Sequence, residues 1–195
     1  MSDRPAGGPG TYEPKAGKVA WVVFYVCALA TVALGLYAVS VPGSAFFLAI
    51  AVIYAGVAIG LTWVLCFSIT AFRARLHITP TGWMRWLGIP ILGTLFVVLV
   101  AMDVPLRVRF ELSRPALEQA EARVEAGETI QPGWIGLYPI ERIDRLPNGA
   151  RFLVSGSGFL DPCGFAYNRG ERPPVLGEDS YYELVGGWWV WRESW

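Results

Sequence analysis

The sequence predicts a membrane protein: three transmembrane helices, followed by a small C-terminal α+β domain with antiparallel β-hairpins. Of its 195 residues, 54% are hydrophobic and only 16% are charged, which is outside the usual composition of a soluble domain. From Val19 to Phe72 there is no Asp, Glu, Lys, Arg or His. An uncharged stretch of that length predicts membrane spans, while the Gly- and Pro-punctuated remainder from residue 105 predicts a folded domain outside the bilayer.

Residues 1–18 contain mainly Gly, Pro and charged residues, and they predict a disordered cytoplasmic leader. The first apolar run, residues 19–39, would extend about 30 Å as a helix, enough to cross a bilayer. A cleaved signal peptide is the alternative, because Gly43–Ala45 offers small residues to a peptidase. The run exceeds the roughly 7 to 15 apolar residues of such peptides, so an uncleaved helix is favoured.

The second and third spans are predicted at about 45–72 and 86–102, completing a transmembrane region of 19–104. Pro42 and Gly43 separate the first two spans, and Ser44 is placed to cap the second. A polar loop, residues 73–85, contains a turn predicted at 79–82. Asp103 ends the third span.

The distribution of cations predicts the topology. The leader and the 73–85 loop carry three Lys or Arg residues each, whereas the loop between the first two spans carries none. The positive-inside rule therefore places the N-terminus in the cytoplasm of a bacterial cell and the C-terminal domain outside. From Asp103 onward, 14 acids and 10 arginines give the chain a net charge of −4, which disfavours a nucleic-acid partner on that side.

The exoplasmic α+β domain is predicted to span residues 105–195. Leu106–Leu112 alternates between apolar and charged residues, which predicts a half-buried strand. Ser113 then begins a helix that ends near Ala126. Two further strands, at 134–146 and 150–154, are joined by a turn at 147–149.

The last segment, YYELVGGWWVWRESW, predicts a hairpin that turns at Gly186–Gly187. Pairing outward from Val185 opposite Trp188 places a core face on one side of the hairpin, made of Tyr182, Leu184, Trp189 and Trp191. Trp188 would lie on the other face, so Trp188 and Trp195 are predicted to be available to a ligand, a partner or lipid.

The predicted spans contain no ionisable interior residue, so a pump or a transporter acting alone is not expected. Gly56 and Gly60 form a GxxxG motif, which favours close helix packing. Two interpretations remain open: packing within the same three-helix bundle, or docking to another subunit.

The outer domain contains no histidine, which excludes His-based nucleophilic and zinc sites there. Its most site-like segment is SGSGFLDPCGF, residues 155–165, in which Asp161 and Cys163 are ligand-binding candidates. We expect no catalytic residue, metal or cofactor. A carboxylate hydrolase needs two acids, and the candidates are Asp161, Glu171, Glu178, Asp179 and Glu183.

The segments GFLDPCGFAYN and YYELVGGWWVWRESW resemble the C-terminal part of small multi-pass membrane proteins from high-GC actinobacteria. The resemblance covers about the last 45 residues. It implies a location in the bacterial cell membrane and carries no particular activity.

The sequence therefore predicts a non-enzymatic accessory or protein-interaction subunit, whose partners are the lipid bilayer and another membrane or envelope protein. A second hypothesis is a ligand-binding or sensing module, with residues 155–165, Trp188 and the PPVLGED segment around a pocket. A third is the carboxylate hydrolase.

Overall fold

The structure is a computed structural model that describes residues 15–73, 80–169, 172–175 and 178–193. Within these described residues, four helices precede six strands. The helices are α1 (Lys15–Ala38), α2 (Phe46–Arg73), α3 (Pro80–Ala101) and α4 (Val104–Glu125).

Two of these helices are each long and apolar enough to cross a membrane, over Val19–Ala38 and Phe46–Phe72. A third span is available if α3 and α4, which meet at an angle of 57°, are taken together as one bent pair. The predicted bounds of the first two spans agree with these segments to within one residue. This agreement reflects the absence of charge, which alone marks such a run.

The third helix begins earlier than predicted. A turn was expected at 79–82, but α3 starts at Pro80, and residues 74–79 lie outside the described part of the chain. Proline is favoured in the first turn of a helix, where its missing N–H has no helical partner. The helix ends near Asp103, whose left-handed φ of 53° turns the chain into α4.

The strand predicted at Leu106–Leu112 is wrong, because these residues belong to α4, which continues through Pro115. The buried residues of α4 recur at helical spacing and form one face: Leu106, Phe110, Ser113, Leu117, Ala120, Glu121 and Val124. This face packs against the sheet. The alternation over seven residues was compatible with a strand, but the apolar stripe continues with a helical period over the next two turns.

The C-terminal half forms a six-stranded antiparallel sheet in the order β1-β2-β3-β4-β6-β5. The strands are β1 (Gly133–Ile135), β2 (Tyr138–Leu146), β3 (Gly149–Val154), β4 (Cys163–Asn168), β5 (Ser180–Val185) and β6 (Trp188–Arg192). The structure confirms the two predicted hairpins, β2 with β3 and β5 with β6. The single strand predicted at 134–146 is wrong at its start, because a turn at Gly136, with a φ of 59°, divides it into β1 and β2, which pair antiparallel.

The predicted register of the last hairpin is wrong beyond its first pair. Val185 lies opposite Trp188 as expected, but an irregularity at Leu184 then places Glu183 opposite Trp189 and Tyr181 opposite Trp191. The slip changes the β5 residues on each face: Tyr181, and not Tyr182, packs with Trp191. Trp188 and Val190 remain on the face opposite Trp189 and Trp191, as predicted.

The sheet has a buried cluster on each face. On the α4 side, Phe110 and Leu117 pack with Tyr138, Phe152, Phe165 and Trp188. On the opposite side, Leu153, Ala166, Tyr181 and Trp191 form a smaller cluster. Pro173 is fully buried, and the Tyr181 hydroxyl donates a hydrogen bond to the Pro174 carbonyl (3.3 Å), so residues 172–175 fold over this second face.

Candidate functional site

The helices and the sheet meet at a polar contact centred on Arg109 of α4. Its guanidinium donates hydrogen bonds to Ser40 Oγ (2.8 Å), just beyond α1, and to the Leu137 carbonyl (2.5 Å), in the turn before β2. The same group lies 4.9 Å from the ring centre of Tyr37 and 4.7 Å from that of Tyr138. The Tyr138 hydroxyl also donates to the Ser40 carbonyl (3.2 Å). One arginine thus joins the end of α1 to the sheet.

A second contact joins the α1–α2 connection to the loop between β3 and β4, which was the most site-like segment of the sequence. The Gly158 N–H donates to the Ser44 carbonyl (3.0 Å), and Gly158 forms an isolated parallel β-bridge with Ala45. The Phe159 ring stacks on the Phe46 ring with 4.1 Å between centres. Residues 155–162 therefore connect the sheet to the start of α2.

Hydrogen bonds within the loop fix its shape. The buried Ser157 hydroxyl accepts a hydrogen bond from the Cys163 N–H (3.2 Å) and lies 2.6 Å from the Val154 carbonyl, to which it can donate. Gly158 has a φ of 72°, and an added Cβ there would overlap the Asp161 carbonyl. The turn at 158–161 therefore requires glycine at this position.

Cys163 is a buried, free thiol beneath Gly43 of the α1–α2 connection. Its side chain is only 2% exposed, and a Cβ on Gly43 would overlap its Sγ atom. Burial raises the pKa of the Cys163 thiol, and Arg192 opposes that rise in part. A buried thiol with a raised pKa is a poor nucleophile, so this cysteine packs the junction.

Asp161 and Cys163, the two ligand-binding candidates of this loop, contact each other through the backbone of Asp161. The Cys163 thiol donates to the Asp161 carbonyl oxygen (3.3 Å), so this contact leaves the Asp161 carboxylate uninvolved. The cavity beside Cys163 holds about 90 Å³. Pockets for organic ligands measure roughly 300 to 1,000 Å³, so this one accommodates only small molecules such as water.

Trp188 is not available to a ligand, a partner or lipid. Its ring is fully buried on the α4 side of the sheet, with ring centres 5.6 Å from Phe110 and 5.1 Å from Tyr167. The physical reason is that α4, which was predicted in part as a strand, covers the face of β6 on which Trp188 lies. Trp195, the other tryptophan expected to be available, lies outside the described residues.

The pocket hypothesised around residues 155–165, Trp188 and PPVLGED is therefore not assembled. Trp188 lies on the α4 side of the sheet, whereas residues 172–175 cover the other side. A six-stranded sheet separates the two.

The second face contains a buried ion pair that sequence reasoning missed. Arg151 donates to Asp179 (2.7 Å), and their side chains are 10% and 3% exposed. The Arg151 guanidinium also lies 4.6 Å from the Trp191 ring centre. Asp179 was one of the candidate acids of a hydrolase, but here its carboxylate pairs with Arg151. Glu171, another candidate, lies outside the described residues.

The GxxxG residues line an open apolar groove between α1, α2 and α3, with a volume of about 590 Å³. No atom lies within 4 Å of a Cβ added at Gly56 or Gly60. By contrast, a Cβ on Gly35 of α1 would come within 3.0 Å of Val52 on α2 and within 2.8 Å of Phe96 on α3. The close packing within this bundle therefore uses Gly35, and Gly56 and Gly60 are left uncovered.

Aromatic residues of α1, α2 and α3 form a packing cluster. Trp86 is only 7% exposed, with ring centres 5.0 Å from Trp21 and 5.2 Å from Phe67. Trp63 Nε1 donates to the Trp86 carbonyl (3.1 Å). These rings hold the three helices together at the end opposite the sheet.

Among the described residues, no group of three or more His, Cys, Asp or Glu side chains is arranged to hold a metal ion. Comparisons with protein-family models, curated proteins and solved structures found no match to this chain. The junction and the groove are therefore the features of this chain that bear on its function.

Proposed function

We propose that this chain is an integral membrane protein of the bacterial cell envelope, and that it acts without catalysis as an accessory subunit. Its helices anchor the sheet domain at the membrane surface, and α2 binds a helix of another membrane protein. Two or three helices are long and apolar enough for this role. Their residues exposed to the surroundings are overwhelmingly apolar, as lipid contact requires.

The observation that carries the proposal is the uncovered face of α2 around Gly56 and Gly60. Glycines four residues apart let the backbone of a second helix approach closely. The chain itself does not use them, because nothing lies within 4 Å of either position. At Gly35, by contrast, an added Cβ would meet Val52 and Phe96, so this glycine does serve packing within the chain.

A non-enzymatic role agrees with the environment of the candidate chemical groups. The Cys163 thiol is buried and its pKa is raised. The Asp179 carboxylate is paired with Arg151. Neither group is available to a substrate in this arrangement.

The test is purification of the full chain in a mild detergent or in native nanodiscs. We expect a stoichiometric membrane protein to accompany the wild type, and a Gly56→Leu/Gly60→Leu variant to lose it. Ala58→Leu is the matched control, because Ala58 is exposed on the opposite side of the same helical turns and does not line the groove. A wild-type chain without a partner, or equal loss in the control, would refute the proposal.

The topology that we propose has the N-terminus in the cytoplasm and the sheet outside. The cations of residues 1–18 and 73–85 support it. The contacts of Ser40 and Ser44 with the sheet require the α1–α2 connection to share the side of the sheet. Ser155 is exposed, so a Ser155→Cys variant should react with an impermeant thiol reagent in intact cells; reaction only after lysis would invert the topology.

A further inference from the structure

The loop between β3 and β4 presents an apolar tip beside the start of α2. We define the interface patch as Phe47, Phe159 and Leu160, which are 77%, 56% and 75% exposed. Phe159 stacks on Phe46 and meets Phe47 edge-on, with 5.9 Å between the centres of the latter pair. The patch is therefore one continuous surface, although its residues come from α2 and from the sheet domain.

The tip is held in a fixed position. The Gly158 N–H is bonded to the Ser44 carbonyl, and the turn from Gly158 back to Cys163 is closed by the Ser157 hydroxyl. A preordered loop loses little conformational entropy when its side chains leave water. Large apolar side chains exposed on a rigid turn are unfavourable in water unless a partner covers them.

The position of the interface patch along the axis of α2 indicates which kind of partner covers the patch. Phe46 is the first residue of α2 and of its apolar stretch, Phe46–Phe72. The base of the loop is different: Ser155 and Gly156 are exposed and Asp161 carries a charge. The loop thus changes from polar to apolar residues at the same level as the end of the apolar stretch of α2. In a bilayer, the end of such a stretch lies at the boundary between the headgroups and the acyl chains.

We propose that Phe159 and Leu160 insert into the headgroup–acyl boundary of the same bilayer that α2 crosses. This inference depends on the membrane anchoring proposed above. A lipid surface is the occupant because the patch is continuous, through the Phe159–Phe47 contact, with the apolar surface of α2. Insertion gives the sheet domain a lipid contact in addition to the Arg109 contact, and the two together fix the tilt of the sheet on the membrane.

The experiment measures the depth of single nitroxide labels in nanodiscs of phosphatidylethanolamine and phosphatidylglycerol. Labels are placed at Leu160→Cys, at Ser155→Cys and at Leu61→Cys, in a Cys27→Ala/Cys66→Ala chain. Cys163 is retained, since it is buried, and its failure to react in each variant verifies that the junction is folded. Collision with oxygen reports lipid, and collision with a water-soluble nickel chelate reports solvent.

We expect the Leu160 label to collide several-fold less with nickel, and more with oxygen, than the Ser155 label from the base of the same loop. The Leu61 label, midway along α2 and 66% exposed, tests the anchoring by itself. If Leu61 is in lipid while Leu160 is as accessible to nickel as Ser155, the inference is overturned and the patch becomes a protein contact. If Leu61 itself is in water, the anchoring fails first, and the inference fails with it.

Discussion

Replacing Arg109 with Ala should loosen the sheet domain from the helices without unfolding either part. The change removes two charge-assisted hydrogen bonds, each worth roughly 1.5 to 3 kcal/mol, and two cation–π contacts of about 0.5 to 1 kcal/mol. Water replaces some of these interactions, because Arg109 is only half-buried. A net loss of about 2 kcal/mol is therefore expected for the contact between helices and sheet.

Cys163 provides the assay, because the α1–α2 connection covers its thiol. In a chain with Cys27 and Cys66 replaced by Ala, the modification rate of the remaining thiol follows the population of the open junction when closing is fast. A loss of about 2 kcal/mol predicts modification about 30-fold faster in Arg109→Ala. Arg109→Lys should lie between this variant and the wild type, since a single ammonium cannot reproduce both bonds of the guanidinium.

The control is Arg123→Ala, on the same helix. Arg123 pairs with Glu128 at 2.6 Å, but the side chains are 58% and 52% exposed, and such pairs contribute about 0 to 1 kcal/mol. The modification rate of Cys163 should hardly change. If Arg109→Ala reacts within about twofold of the wild type, or if Arg123→Ala accelerates the reaction equally, the Arg109 contact does not hold the junction closed.

Three further predictions concern the sheet domain and are measured by chemical unfolding followed through tryptophan fluorescence. Burial raises the pKa of the Glu121 carboxyl above 4.5, helped by Glu125, so the folded state binds its proton more tightly than the unfolded state does. The free energy of unfolding from this group therefore falls as pH rises through the raised pKa; Glu121→Gln should stabilise the chain at about pH 8, and the gain should vanish near pH 4.5. A Cβ on Gly164 would overlap a backbone carbonyl of β3, so Gly164→Ala should lower the free energy of unfolding by about 2 to 3 kcal/mol. Gly133 has open space around it, so Gly133→Ala should change that free energy by less than about 0.5 kcal/mol. Asp179→Asn leaves the buried Arg151 charge with Asp144, at 3.5 Å, as its remaining ion pair and should cost about 2 to 3 kcal/mol, while Arg151→Met/Asp179→Leu should cost much less; equal losses would show that the pair is not the source of the effect.

The apolar helices could be predicted from the sequence because they depend on composition alone. An uncharged run needs no knowledge of its neighbours, and the bounds of α1 and α2 were obtained closely from Val19–Phe72. The hairpin turn at Gly186–Gly187 was predictable for a similar reason, since both glycines adopt positive φ, as the tight turn requires.

The helix α4 was not predicted over its first part because two periods fit the same short segment. Leu106, Phe110 and Leu112 satisfy strand alternation, yet Leu106, Phe110 and Leu117 lie on one helical face. The helix is favoured over the strand because the apolar face of the sheet needs a covering layer of about the length of α4. With α4 read as a strand, Arg109 was assigned to a solvent face, and the central contact of the junction was missed.

In the tryptophan-rich hairpin, the alternation along β6 could be predicted from the sequence, but the register of β5 and the burial of Trp188 could not. The turn was correct, but the irregularity at Leu184 shifts the pairing by one position. That shift pairs Tyr181 with Trp191 and leaves Tyr182, a predicted core residue, 50% exposed. Trp188 is buried for another reason, since α4 covers its face of the sheet. A bulge is stabilised by the packing of both faces and has no local sequence signal as strong as Gly-Gly. Phe47 and Phe159 beside α2 are exposed aromatic residues, whereas Trp188 and Trp191 of β6 are fully buried.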